Sequence, residues 1–139
     1  MALVVDASVA VRWLFDMTGR PQADALLQSE ELLIAPDLVI PEITNAAWKL
    51  TRFENLEHEA AMAIIAEAED HFDEIVPCLG LKDRALAIAI ELRHPAYDCF
   101  YLALAERRDC EMMTADERLL TRCARTPFAK RVRPLITAR

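Results

Sequence analysis

An α/β fold built on a central parallel sheet, with helices on both faces, follows from three features of this sequence. Short apolar runs of strand length alternate with longer segments of helical periodicity. The first of these runs, Leu3 to Val5, is continuously apolar, as a buried parallel strand is, and no hairpin signal of the Asn-Gly type joins any two runs. Strands without hairpins need crossover helices, so βαβ units and a doubly covered sheet are expected. At 139 residues the chain is the size of one domain, and its 54 % hydrophobic content with only two Gly favours a helix-rich globular protein.

Leu3 to Val5 is the first strand, ending at Asp6. A helix then runs from Ala7 to Phe15, with Val9 and Trp13 one turn apart. A second helix begins at Pro21, whose fixed φ and missing N–H suit a first helical position. Leu32 to Ala35 reads as the next strand, stopped by Pro36, and Pro41 to Lys49 as a helix carrying Glu42 in its first turn. Leu56 to Phe72 reads as one long helix and Ile75-Val76 as a short strand. Helices over Leu81 to Arg93 and Asp98 to Arg108 are separated by His94-Pro95-Ala96-Tyr97, where Pro95 breaks the periodicity. Glu111 to Thr114 is a strand, Asp116 to Ala124 a helix, and Val132-Arg133 an edge strand beside Pro134. There is no repeat, linker or low-complexity tract.

Composition removes several function classes. No apolar stretch is long enough to span a bilayer and no basic segment precedes the first strand, so a cytoplasmic protein without membrane contact is expected. Cys78, Cys99, Cys110 and Cys123 show neither a CxxC pair nor His at finger-like spacing; they read as reduced, buried thiols. His58, His71 and His94 fall in no ligand spacing and read as non-catalytic, and Tyr97, Phe100 and Tyr101 read as packing. The net charge of −7 argues against a polyanionic partner, but its distribution does not. Glu54 to Glu74 holds eight acids and no Lys or Arg, whereas Arg118 to Arg139 holds six Arg, one Lys and no acid. A solvated helix face is the preferred reading of the acidic run. In the basic one, Arg118, Arg122 and Arg125 at helical spacing are candidate RNA contacts.

Four acids carry the chemical reading. Asp6 follows the first strand and Asp116 the Glu111–Thr114 strand, while Glu42 and Asp98 each open a helix. Taken singly, helix capping is the preferred explanation of each. Capping does not explain why two strand ends and two helix starts point to one edge of a parallel sheet, where ligands bind at the reversal of strand order. Carboxylates crowded there repel one another unless a hard cation such as Mg²⁺ or Mn²⁺ neutralises them. Such an ion lowers the pKa of a bound water and shields an attacked phosphate. Ser8, Thr114 and Asn45 lie close enough in sequence to steady these acids.

In order and spacing, the segments Val4-Val5-Asp6-Ala7-Ser8, Ala35-Pro36-Asp37-Leu38 leading to Glu42-Ile43-Thr44-Asn45-Ala46, Tyr97-Asp98-Cys99-Phe100-Tyr101-Leu102-Ala103-Leu104-Ala105 and Thr114-Ala115-Asp116 resemble the motifs of PIN-domain nucleases, in particular the VapC toxins of bacterial toxin–antitoxin pairs. The resemblance covers nearly the whole chain and implies a single domain over residues 1–139 with a three-layer α/β/α fold. It further implies Mg²⁺-dependent endoribonuclease activity, homodimers, and inhibition by a small VapB-like antitoxin in a heteromeric complex. By the same resemblance, Asp6, Asp98 and Asp116 hold the metal and Glu42 is the family's acidic position on the third helix. Cys99 departs from the small residue usual after the Tyr-Asp aspartate and places a thiol near the metal.

Other classes fit less well. A phosphoacceptor receiver domain wants paired acids after its first strand and a late Lys, and a haloacid-dehalogenase-type phosphatase wants an Asp where Ser8 stands. A PIN-fold binding module without catalysis has no need of all four acids. A PIN nuclease that processes RNA without being a toxin stays open on the sequence alone.

Overall fold

The computed structural model describes residues 1–135. Five parallel strands form one sheet in the order β3-β2-β1-β4-β5: β1 Ala2–Val5, β2 Leu32–Pro36, β3 Glu74–Val76, β4 Glu111–Thr114 and β5 Val132–Pro134. The chain starts in the middle, moves outward through β2 and β3, then crosses to the other side for β4 and β5. Strand order therefore reverses between β1 and β4, which pair Leu3 with Glu111 and Val5 with Met113. Asp6 and Asp116 leave the sheet at that reversal.

The helices are α1 Ala7–Leu14, α2 Arg20–Leu27, α3 Val39–Phe53, α4 His58–Ile65, α5 Lys82–Leu92, α6 Ala96–Arg107 and α7 Glu117–Cys123, with short 3-10 turns at Cys78–Gly80 and Pro127–Arg131. Leu3, Val4 and Val5 are fully buried, as their continuous apolar run requires of a central strand. Tyr101, Leu102 and Leu104 of α6 are fully buried as well. The α6 stretch is Ala- and Leu-rich on several sides because it lies within the core rather than on its surface. No helix among the described residues is long and apolar enough to cross a membrane.

Several boundaries differ from the sequence expectation. Pro36 does not stop β2 but ends it, pairing with Val76. α3 begins at Val39, so Pro41 falls within the first turn, where its missing N–H has no intrahelical partner to lose. α6 begins at Ala96 with Pro95 before it, which moves Asp98 from the cap position into the first turn. The expected Leu56–Phe72 helix is the short α4 followed by turns with i to i+3 bonds, among them Ala68 N to Ile65 O and Phe72 N to Glu69 O. Those turns bring Asp73 to β2, where its backbone N–H donates to the Leu33 carbonyl and its Oδ2 accepts from the Leu33 N–H, both at 2.8 Å. Helical periodicity over 56–72 could not reveal this long-range bond.

Candidate active site

Asp6 is held on all sides. Its backbone N–H donates to the Met113 carbonyl at 3.3 Å, tying the end of β1 to β4. Its carboxylate is 3 % exposed; Oδ1 accepts from Ser8 Oγ at 2.6 Å and Val9 N at 3.2 Å, and Oδ2 accepts from Thr114 Oγ1 at 2.5 Å. Each hydroxyl that donates to Asp6 also accepts a backbone N–H from the turn after β4: Ala115 N to Ser8 Oγ at 2.9 Å, and Asp116 N to Thr114 Oγ1 at 3.0 Å. The hydroxyl protons are thereby directed at the carboxylate. Burial pushes the Asp6 carboxyl up to about 7; the bonds from Ser8, Thr114 and Val9 oppose the rise and the charge of Asp98 adds to it.

Glu42 and Asp98 do not cap their helices, for neither α3 nor α6 has a side-chain cap bond. Glu42 Oε1 instead accepts from the Tyr101 hydroxyl at 2.5 Å. Burial raises the Glu42 carboxyl, the Tyr101 bond pulls it back and the Asp98 charge raises it again. Tyr101 is fully buried, and that burial beside Glu42 keeps it a neutral donor. Asp98 Oδ2 lies 2.6 Å from His94 Nε2, one helical turn earlier, on a His side chain that is 6 % exposed. Asp116 is the cap of α7, its Oδ1 accepting from Arg118 N at 2.9 Å and Leu119 N at 3.4 Å. Capping thus accounts for Asp116 and part of Asp6, and for neither Glu42 nor Asp98.

The structure therefore brings Asp6, Glu42 and Asp98 into one electrostatic neighbourhood, with Asp116 linked to it through Thr114. Among the described residues no group of three His, Cys, Asp or Glu side chains is arranged to hold a metal ion. Each of the four carboxylates has a protein partner in the fold. The chemistry of the donor set still fits a hard divalent cation: the groups are carboxylates, and Asp98 raises the proton affinity of both Asp6 and Glu42. Glu42 uses only Oε1 on Tyr101 and Asp98 only Oδ2 on His94, so each keeps a second oxygen for an ion.

Asn45 lines a cleft of about 470 Å³ with Ser8, Glu42, Lys49 and Tyr97, on the same side of α3 as Glu42. Cys99 follows Asp98, whose charge adds to the effect of burial on the thiol. Its thiol donates to the Pro95 carbonyl at 3.6 Å, and burial pushes it up to about 12, so it packs as a neutral group. All four cysteines are free, three of them buried and Cys78 half-buried. Arg118 and Arg122 face a common cavity, in which Arg125 has no part. Arg131 and Arg133 are taken up by Asp109 and by Glu31 and Glu111, and Arg139 lies outside the described residues.

Sequence reasoning missed His94 and Tyr101 as partners of the acids. For His94 a signal existed, four residues before Asp98. Changing Tyr101 to Phe strips Glu42 of its donor in a half-buried setting, and we expect a loss of about 1 kcal/mol or more in stability, seen as a drop of a few degrees in thermal unfolding. An unchanged midpoint would mean that water replaces the hydroxyl at no cost.

Residues 3–125 match the PIN domain family, and the chain belongs to it. Within that family it is similar to ribonuclease VapC3 of Pyrobaculum aerophilum, with 29 % identity over 86 % of this chain and 92 % of the relative. It is also similar to ribonuclease VapC9 of Mycobacterium tuberculosis, with 33 % identity over 84 % of this chain and 87 % of the relative. Among solved structures, a Pyrobaculum aerophilum protein superposes with a TM-score of 0.72 at 24 % identity, covering 97 % of this chain and 84 % of that one. A toxin–antitoxin complex from Klebsiella pneumoniae gives 0.66 at 20 % identity, covering 99 % and 100 %. The structural likenesses share the fold.

Proposed function

We propose that this chain is a divalent-metal-dependent endoribonuclease, the toxin of a toxin–antitoxin pair, with Asp6, Asp98 and Asp116 holding Mg²⁺, or Mn²⁺ in its place, and Glu42 completing the acidic centre. The observation that carries the reading is Asp6, fixed by Ser8 and Thr114 at the reversal of strand order and raised in proton affinity by its burial and by the charge of Asp98, in a chain whose curated relatives are named VapC ribonucleases. When bound, the ion supplies an activated water and shields the phosphate.

The protein's own share is positioning. Ser8 and Thr114 fix the two oxygens of Asp6, the buried Tyr101 hydroxyl orients Glu42, and the His94 ring orients Asp98. The cleft beside Glu42, with Asn45 and Tyr97 at its rim, has the volume to take a nucleotide-sized group. Incubating the purified protein with total cellular RNA, with and without EDTA, tests the reading. Cleavage that needs the metal is expected, and cleavage indifferent to EDTA would overturn the metal's part in it.

The partner we propose is a small antitoxin whose C-terminal segment carries apolar residues followed by an Arg or Lys. An apolar trough lined by Val11, Phe15, Met17, Leu50 and Phe53 shares Val11, Ala46 and Lys49 with the acid-bearing cleft. A segment lying in the trough therefore reaches Glu42, where a guanidinium pairs with carboxylates in two-pronged fashion. Changing that basic residue to Ala should release RNase activity even where the complex survives. Full inhibition by every such variant would exclude charge pairing in this cleft. Exposed Leu79, Leu86 and Ile90 on and beside α5 support a second copy of the chain as a further partner, to be checked by sedimentation.

A further inference from the structure

Several of the chain's long basic side chains are paired with carboxylates. Arg84 pairs with Glu106, Arg108 with Glu74, Arg131 with Asp109, and Arg133 with both Glu31 and Glu111. Arg93, Arg118 and Arg122 are different: among the described residues no carboxylate stands within ion-pair distance of any of them. These three line one polar cavity of about 600 Å³, together with His94, Pro95, Thr121 and a single acid, Glu117. Arg93 reaches it from the left-handed end of α5, at φ 53°, and the other two from successive turns of α7. All three are exposed, and three guanidinium groups around one cavity concentrate positive charge there and favour an anion between them.

The cavity also has a definite relation to the acids. His94 forms part of its wall, and the same ring holds Asp98 at 2.6 Å. A strand whose scissile phosphate lies at Asp98 therefore has another of its phosphates within reach of the three arginines. An acidic protein segment would satisfy the charge, but nothing would tie it to Asp98.

We propose that the cavity of Arg93, Arg118 and Arg122 is a subsite for a non-scissile phosphate of single-stranded RNA, which sets the register of the strand on the acidic centre. The inference rests on the ribonuclease reading above. Its positive charge is local, which reconciles RNA binding with the net charge of −7. Glu117 sits at the cavity as a counterweight that weakens the hold and lets product leave.

The test is binding of a fluorescent single-stranded oligoribonucleotide in EDTA, across a salt series, by wild type and two variants with three charges removed. One is Arg93→Gln/Arg118→Gln/Arg122→Gln; the other, a control of equal charge change away from the cavity, is Arg20→Gln/Arg52→Gln/Arg107→Gln. The cavity variant should bind about tenfold more weakly than the control and flatten the slope of log affinity against log salt by about 0.7 or more, the value for one phosphate on a single strand. Glu117→Gln should tighten binding by about threefold, a gain that damage to the fold cannot mimic. Cavity and control variants that bind alike overturn the subsite while wild type still cleaves RNA, so the ribonuclease reading survives. Wild type that neither binds nor cleaves RNA overturns both.

Discussion

Asp6→Asn and Asp98→Asn each lower RNA cleavage by about 10²-fold or more while the protein stays folded, because each removes a formal charge from the group of carboxylates that an ion would bridge. Asn keeps the shape of Asp6 and its Oδ1 can still accept from Ser8 and Val9, while its Nδ2 meets the Thr114 hydroxyl, which has to turn its proton away. Asp98→Asn leaves His94 with an oxygen partner in the same way. Asp116→Asn should cost less activity, since its carboxylate already serves the N–H groups of Arg118 and Leu119, which an Asn oxygen also caps. Single-turnover cleavage of an oligoribonucleotide, with circular dichroism as the check on folding, measures all three. Equal rates for wild type, Asp6→Asn and Asp98→Asn would remove the acids from the chemistry.

In metal-free buffer the Asp6→Asn protein should be the more stable one at pH 8, even though it is inactive. An unfolded Asp6 titrates near 3.8 and the folded one near 7, so between those values the folded state holds a proton that the unfolded state has released. Its contribution is thus fully present below 3.8 and is lost as pH rises through 7. The span from 3.8 to about 7 corresponds to up to about 4 kcal/mol for a fully buried group. Wild type should melt several degrees higher at pH 5.5 than at pH 8, and the Asn variant should show a flatter profile. Saturating Mg²⁺ should flatten the wild-type profile too, by taking the place of the proton. Parallel melting curves for the two proteins across this range would mean that Asp6 is already ionised at pH 5.5.

The strands and the acids at their ends were legible because they depend on local pattern. A continuous apolar run followed by Asp marks β1 and Asp6, while β4 shows as a short run around Met112 and Met113 with Asp116 two residues past its end. The polar group on Asp6 was partly legible as well, since Ser8 and Thr114 stand two residues from an acid. What the sequence could not display is contact across the fold. Tyr101 looks like core packing in its own helix, and only the meeting of α6 with the start of α3 puts its hydroxyl on Glu42, 59 residues away. The shortness of α4 has the same origin, because the bond between Asp73 and Leu33 spans 40 residues. Arg93 was overlooked for a related reason: it lies outside the basic run, and the cavity it shares with Arg118 and Arg122 exists only once α5 and α7 are in place.

The hydroxyl that completes the environment of Asp6 belongs to Thr114, which the ribosome adds 108 residues later. β1 lies in the middle of the sheet and cannot pair on its second side until β4 has been made. A growing chain that ends before Thr114 thus carries the acids of α3 and α6 but no finished Asp6 pocket. Vectorial synthesis alone therefore withholds the finished Asp6 pocket until β4 and Thr114 have left the tunnel.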